Sequence, residues 1–95
     1  MRKKRMDKHQ AKGIYLSEEI NHMSPHTRQI KLADREDNCQ ELAVLDKIKE
    51  HKAWVHGYSR ETRHILDHIA FAPNRIEQEL ISSIGKLIAP FLNEK

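Results

Sequence analysis

Apolar residues recur every three or four positions through the second half of the chain, which is the period of an α-helix with one buried face. The last such stretch begins at Asn74, where a glutamate three residues later predicts a capped helix start, and it stops at Pro90. We therefore predict a helix over this stretch. Its apolar stripe consists of Ile76, Leu80, Ile81, Ile84, Leu87 and Ile88.

Two more helices are predicted upstream, on either side of Gly57. The first begins at Asn38, and Gly57 fits the left-handed residue that ends many helices. Ser59 is then the predicted N-cap of the second, which Pro73 stops. The predicted inner faces are Leu42, Leu45, Ile48 and Val55 in the first helix and Thr62, Ile65, Leu66 and Ile69 in the second.

The segment HTRQIKLAD differs from these because apolar and polar residues alternate in it. Ile30 and Leu32 point one way and Gln29 and Lys31 point the other, which is typical of a half-buried strand. A helix start is the alternative, because the Ser-Pro pair at 24–25 fits an N-cap followed by proline in the first turn.

These elements predict a mainly α fold with three principal helices and at most one short N-terminal strand, and an all-α helical bundle is the alternative. A further short helix is predicted in LSEEINHM, where Ser17 can act as the cap. At 95 residues the chain is one domain. A chain this short buries a small fraction of its surface, so a homodimer would help to stabilise it.

Positive charge is concentrated at the N-terminus. Residues 1–12 hold six Lys/Arg against one Asp, whereas residues 13–95 carry a net charge of −2. We predict a disordered basic arm over 1–12 and a single helical domain over 13–95. A basic arm on a near-neutral body is common in proteins that contact nucleic acid, and a solubilising terminus is the alternative.

The order of strand, helix, glycine turn and helix resembles the ribbon-helix-helix family of DNA-binding proteins, the Arc and MetJ type. The matching residues are RQIKL (28–32), the helix that ends in WVHG, and GYSRETRHILDHIA (57–70). In that family two chains pair their strands into a ribbon that enters the major groove. The resemblance implies a homodimer that binds duplex DNA, either a transcriptional repressor or a relaxosome-type accessory factor of plasmid mobilisation.

The resemblance also implies which residues would contact DNA. Outward side chains of the ribbon would read base edges, since glutamine can pair with adenine and lysine with guanine. The start of the second helix would bind a phosphate through its backbone N–H groups, and the basic arm would add salt-sensitive affinity. The implied base-reading residues are Thr27, Gln29 and Lys31, and the phosphate-binding residues are Arg2, Lys3, Lys4, Arg5, Tyr58, Ser59 and Arg60.

A different class of function is also open, namely a small helical adaptor or inhibitor that binds another protein. Trp54 and Phe91 would then be partner contacts, together with the apolar stripe of the last helix. The DNA-binding hypothesis requires a dimer with strand content, whereas the adaptor hypothesis permits an all-helical monomer with an exposed apolar patch.

Metal and enzyme chemistry have weaker sequence support. His64, Asp67 and His68 have helical spacing that could chelate one ion, but a full site needs further ligands. Cys39 is predicted in the first turn of a helix, which would lower its pKa. The chain has no catalytic or phosphate-loop motif, so we predict a non-enzyme without a cofactor. Because there is one cysteine and no long apolar run, we expect a cytoplasmic protein without a membrane span.

Overall fold

A computed structural model of the chain describes residues 8–92, and these residues form helices connected by short turns. Four long helices and one single-turn helix are present in this range, and it contains no strand. The mainly α prediction is therefore confirmed, with one more long helix than expected. In chain order the helices are α1 (Lys8–Asn21), α2 (Pro25–Gln40), α3 (Leu42–Leu45), α4 (Lys52–Asp67) and α5 (Arg75–Ile88), with 3₁₀ turns at Lys49–His51 and Ala89–Phe91.

The predicted strand at 28–32 is wrong, because these residues lie in α2. The side chain of Ser24 accepts a hydrogen bond from the backbone N–H of Thr27, and Pro25 occupies the first turn. This is the alternative that the Ser-Pro pair indicated. Ile30 is 50% exposed and Leu32 is 2% exposed, so the two residues that a strand would place on one face lie on different sides of the helix. The paired ribbon of the ribbon-helix-helix arrangement has no counterpart in residues 8–92.

The predicted turn at Gly57 is also wrong. Helix α4 runs unbroken from Lys52 to Asp67, and no residue between 8 and 92 has a positive φ. Ser59 does not cap a helix, since its hydroxyl donates to the carbonyl of Val55 one turn earlier. The single helix predicted upstream of Gly57 is instead divided among the end of α2, the short helix α3, the 3₁₀ turn at Lys49–His51 and the start of α4.

The last helix was predicted correctly at its start. Asn74 accepts a hydrogen bond from the backbone N–H of Glu77, and the Glu77 side chain accepts one from the N–H of Asn74, which forms a capping box. Ile84 and Ile88 of its stripe are fully buried, whereas Ile76 is exposed.

Helix α1 packs along α4 in a parallel direction. His9 contacts Glu61 near the beginning of this interface, and Asn21 bonds to the backbone of His68 and Ala70 at its end. Helix α2 packs against α5. The fully buried apolar residues that join these pairs include Leu32, Leu42, Val55, Ile84 and Ile88.

The predicted disordered arm is wrong for its last five residues, since residues 8–12 form the start of α1. The same helix includes Ser17, whose hydroxyl donates to the carbonyl of Ile14 instead of capping a helix. Arg2, Lys3, Lys4 and Arg5 lie outside the described residues. Within residues 8–92, no helix combines the length and the apolar character that crossing a membrane requires.

Candidate functional site

A buried carboxylate, that of Glu61, stands at the centre of a polar cluster where α1, α2 and α4 meet. Glu61 is 2% exposed. Its Oε1 lies 3.0 Å from Nδ1 of His9, and its Oε2 accepts a hydrogen bond from Nη1 of Arg35, also at 3.0 Å. The same Nη1 donates to the Thr62 hydroxyl at 2.9 Å. Each carboxylate oxygen therefore has a partner, which offsets the cost of burying the charge.

Aromatic rings lie next to this cluster, toward the first turn of α4. The guanidinium of Arg35 lies 4.6 Å from the ring centre of Tyr58, and Tyr58 stacks on Trp54 at a centroid distance of 4.8 Å. The ring of His9 meets Trp54 edge-on at 6.4 Å. His9 also lies directly against Gly57, where an added Cβ would sit 2.6 Å from Nε2 of the imidazole. Glycine in mid-helix thus permits the close approach of α1 to α4.

Next to this cluster, the outer face of α4 carries a row of nitrogen-bearing side chains. Lys52, His56 and Arg60 follow one another at four-residue spacing, which places them on one side of the helix. Arg60 lies between two surface hollows. One hollow is lined by Lys52, Ala53, His56 and Arg60, and the other by His9, Gln10, Arg60, Glu61 and His64. We call these two hollows and the start of α1 the basic surface.

The basic surface holds more positive than negative charge. Among the residues that line its two hollows, Lys52 and Arg60 are cationic and Glu61 is the one acid, and the Glu61 carboxylate is enclosed by its partners. Partial compensation comes from Asp46, whose oxygens lie 3.5 Å from Nζ of Lys52 and 3.6 Å from Nε2 of His56. The parallel packing brings the start of α1 to the same side, where His9 and Gln10 line a hollow with Arg60. Lys8 and Lys12 belong to this first part of α1. An anionic ligand would find a favourable potential there.

The three implied base-reading residues do not form a common surface. Thr27 and Lys31 are exposed on one side of α2, whereas Gln29 is half-buried. The hydroxyl of Thr27 accepts a hydrogen bond from that of Ser24 at the helix start. Alternate residues share a face on a strand but not on a helix, so the reading of bases by these three residues together loses its geometric basis.

The implied phosphate clamp at 58–60 is wrong. These residues lie in the middle of α4, where backbone N–H groups already bond within the helix. Tyr58 is 8% exposed and Ser59 is completely buried, so neither can reach a phosphate. Arg60 is exposed and belongs to the basic surface.

The two predicted partner contacts, Trp54 and Phe91, differ in exposure. Trp54 is 43% exposed although it stacks on Tyr58, whereas Phe91 is 8% exposed and belongs to the core. The carbonyl of Phe91 accepts a hydrogen bond at 2.9 Å if Nδ1 of His56 carries the proton. Most of the α5 stripe also faces the core, with Ile76 as the exposed exception.

The three residues considered for metal binding do not converge on one point. The imidazoles of His64 and His68 stack with their centres 3.9 Å apart, and the carboxylate of Asp67 pairs with Arg63 at 3.0 Å. Within residues 8–92, no three or more His, Cys, Asp or Glu side chains are grouped as metal ligands.

The predicted position of Cys39 is wrong. It lies in the last turn of α2 and not in a first turn, and it is 1% exposed. Burial raises the pKa of its thiol to about 11, which is opposite to the predicted direction.

The partners of Glu61 were not predicted from the sequence. His9, Arg35 and Glu61 lie on three helices, and nothing in their spacing indicates that they meet. The row Lys52, His56 and Arg60 did carry a signal, because four-residue spacing on a helix places all three on one side. That signal was hidden by the expectation of a turn at Gly57.

The chain matches no protein-family model, and the searches of curated proteins and of solved structures found no similar protein.

Proposed function

We propose that this protein binds nucleic acid through the basic surface formed by α1 and α4. The observation that carries the proposal is the parallel packing of these helices, which joins the start of α1 to the Lys52, His56 and Arg60 row. The cluster Arg2–Arg5 precedes α1 by two residues in the sequence, so it is covalently tethered to the same end.

The physical basis is attraction between these cations and the phosphate backbone. Lysine and arginine side chains that neutralise phosphates release condensed counterions, and this release favours binding at low salt. Such contacts hold the protein on the nucleic acid without reading its sequence. We therefore propose binding of duplex DNA that is weakly dependent on base sequence, in place of ribbon-based reading by Gln29 and Lys31.

The roles of transcriptional repressor and of relaxosome-type accessory factor rested on a paired strand. The helix at 28–32 removes that support, and it removes the ribbon as a reason to expect a homodimer. The proposal above requires neither a strand nor a dimer.

A helical adaptor remains the second candidate, and Trp54 is the observation in its favour. A tryptophan that is 43% exposed and flanked by the half-buried ring of His9 is a suitable anchor for a protein partner. Because Phe91 and most of the α5 stripe are buried, the adaptor surface would be centred on Trp54.

The test is fluorescence anisotropy of a labelled mixed-sequence duplex at two salt concentrations. The test variant is Lys52→Gln with Arg60→Gln. The matched control is Arg75→Gln with Lys86→Gln, which removes the same charge from α5, where both residues line a separate hollow. A version that lacks residues 1–5 and a Gln29→Ala/Lys31→Ala variant complete the set. Thermal unfolding of each variant checks that the fold is retained.

We expect the α4 variant to bind about tenfold more weakly than the control variant at low salt. We also expect its slope of log affinity against log salt to fall by about 0.9 for each phosphate that the variant no longer neutralises. The Gln29→Ala/Lys31→Ala variant should resemble the control. The proposal fails if the α4 and α5 variants lose affinity equally, if only the deletion of residues 1–5 matters, or if the intact protein does not bind.

A further inference from the structure

A small cavity, distinct from the basic surface, lies between α1, α2 and α4. Its volume is about 80 Å³. The walls are apolar and come from the three helices and from the turn between α1 and α2: Leu16, Ile20, Met23, Leu32, Ile65 and Leu66. Its lining includes the exposed residues Glu19 and Lys31, so the cavity opens at the protein surface.

The mouth of the cavity is polar and carries two cationic side chains and one carboxylate. Lys31, Arg35 and Glu19 contribute to its lining together with Thr62. The carboxylate of Glu19 accepts a hydrogen bond from the Tyr15 hydroxyl at 2.9 Å. Arg35 is paired with the carboxylate of Glu61, so the mouth offers cationic hydrogen-bond donors over an apolar interior without a large net charge.

Arg35 has N–H groups on Nε and Nη2 that could donate hydrogen bonds to a ligand. Within residues 8–92, its hydrogen bonds to Glu61 and to Thr62 both leave from Nη1. A guanidinium has five N–H donors, and a carboxylate can accept two of them side by side. Lys31 is exposed and adds a second cationic group, a flexible ammonium, beside Arg35.

We propose that this cavity is a binding site for a small aliphatic carboxylate, with the hydrocarbon chain inside and the carboxylate at Lys31 and Arg35. One water occupies about 30 Å³ in the liquid and a methylene group is similar in size, so the cavity has room for about three carbon groups. Butanoate or pentanoate, with three or four carbons beyond the carboxylate, matches this space. Apolar walls with a few placed polar groups are the usual composition of a small-molecule site.

The experiment is an NMR titration of the full-length ¹⁵N-labelled protein with pentanoate, and separately with pentylammonium. Pentylammonium has the same chain length and the opposite charge, so it isolates the contribution of the head group. Nuclear Overhauser contacts from the pentanoate methyl group to methyl groups of Leu32 and Ile65 locate the chain without any substitution. The Lys31→Gln variant is compared with Lys47→Gln, which removes a lysine outside the cavity.

We expect pentanoate to shift the amides of Ile20, Leu32 and Ile65 in a saturable manner, and pentylammonium to bind more weakly. Lys31→Gln should weaken pentanoate binding about fivefold, since one exposed ion pair is removed, while Lys47→Gln should leave it unchanged. The proposal is overturned if pentanoate gives no saturable shifts, if its methyl group contacts other residues, or if pentylammonium binds equally well. These results are independent of DNA binding.

Discussion

The guanidinium of Arg28 donates two parallel hydrogen bonds to the carboxylate of Glu77, from Nε to Oε2 at 3.0 Å and from Nη2 to Oε1 at 3.2 Å. This pair joins the first turn of α2 to the first turn of α5. Glu77 is fully buried, and Arg28 also lies over the ring of Phe71 at 3.9 Å. The same carboxylate closes the capping box with Asn74, so one side chain fixes both the start of α5 and its position against α2.

Replacing Arg28 by alanine is expected to lower the free energy of unfolding by about 3 kcal/mol, because it leaves a buried carboxylate without its cation. The measurement is urea unfolding followed by circular dichroism. Arg75→Ala is the control, since its side chain is 91% exposed and its pairing with Glu79 is loose at 3.6 Å. That control should change stability by less than about 0.5 kcal/mol. Equal effects of the two substitutions would show that the Arg28 pair contributes no more than a surface contact.

The Glu77 pair also predicts a pH dependence of stability. The hydrogen bonds from Arg28 lower the pKa of Glu77 below its ordinary value of 4.5, against the opposing effect of burial. A lowered pKa in the folded state means that the unfolded state binds the proton first as the pH falls. The stabilisation is therefore complete above about pH 4.5 and is lost as the pH falls through the lower pKa of the folded protein.

The check is thermal unfolding of the wild type and of Glu77→Gln between pH 7 and pH 3. Glutamine retains the shape but has no charge, so the wild type should be the more stable protein at pH 7. The difference should narrow as the pH falls below about 4.5. A difference that stays constant down to pH 3 would contradict the assignment of a lowered pKa to Glu77.

The sequence was sufficient to predict elements that depend on neighbouring residues. The Asn74 and Glu77 capping box is local, and the structure confirms it. The Ser24 and Pro25 helix start was equally local but was placed second, because five alternating residues suggested a strand. Helix α2 shows why that pattern was insufficient: Arg28, Leu32, Arg35 and Cys39 also recur at helical spacing, and they are the residues that turn inward.

Features that depend on distant residues were not predictable in the same way. Gly57 was interpreted as a turn because glycine commonly ends helices, whereas its role is to admit the ring of His9 from α1. The pairing of Glu61 with Arg35 and His9 spans 26 and 52 residues of sequence. A single sequence contains no periodic signal for such contacts, so the polar cluster can be recognised only when the packing of the helices is known.

The two helical glycines Gly57 and Gly85 are expected to respond in opposite ways to substitution by alanine. At Gly57 a new Cβ would lie 2.6 Å from Nε2 of His9, and His9 cannot withdraw without losing its bond to Glu61. We expect Gly57→Ala to destabilise the protein by about 1–2 kcal/mol, since overpacking outweighs the gain in helix propensity. At Gly85 the nearest atom, Nη1 of Arg63, is 4.0 Å away. Gly85→Ala should therefore stabilise the fold by about 0.5–1 kcal/mol.

The measurement for both glycine variants is the free energy of unfolding in urea. A double variant, His9→Ala with Gly57→Ala, tests the mechanism, because removing the imidazole should make room for the new methyl group. We expect the effect of Gly57→Ala to become neutral or stabilising in that background. If Gly57→Ala destabilises the protein equally with and without the His9 ring, the close approach of α1 is not the reason for glycine at this position.

Cys39 is expected to be nearly inert to thiol reagents in the folded protein. Its side chain is 1% exposed, and burial raises the pKa of the thiol to about 11. At pH 8 only about one thiol in a thousand would then be the reactive thiolate, and the reagent must also wait for local opening of α2. The measurement is the rate of reaction with a chromogenic disulfide at pH 8, with and without denaturant. The control is Gln40→Cys in a Cys39→Ala background, which moves the thiol to the exposed neighbouring position. We expect the control to react at least about a hundredfold faster in the folded state and at the same rate as Cys39 when unfolded.

Equal rates in the folded state would mean that the end of α2 opens freely and that Cys39 is not held in the core.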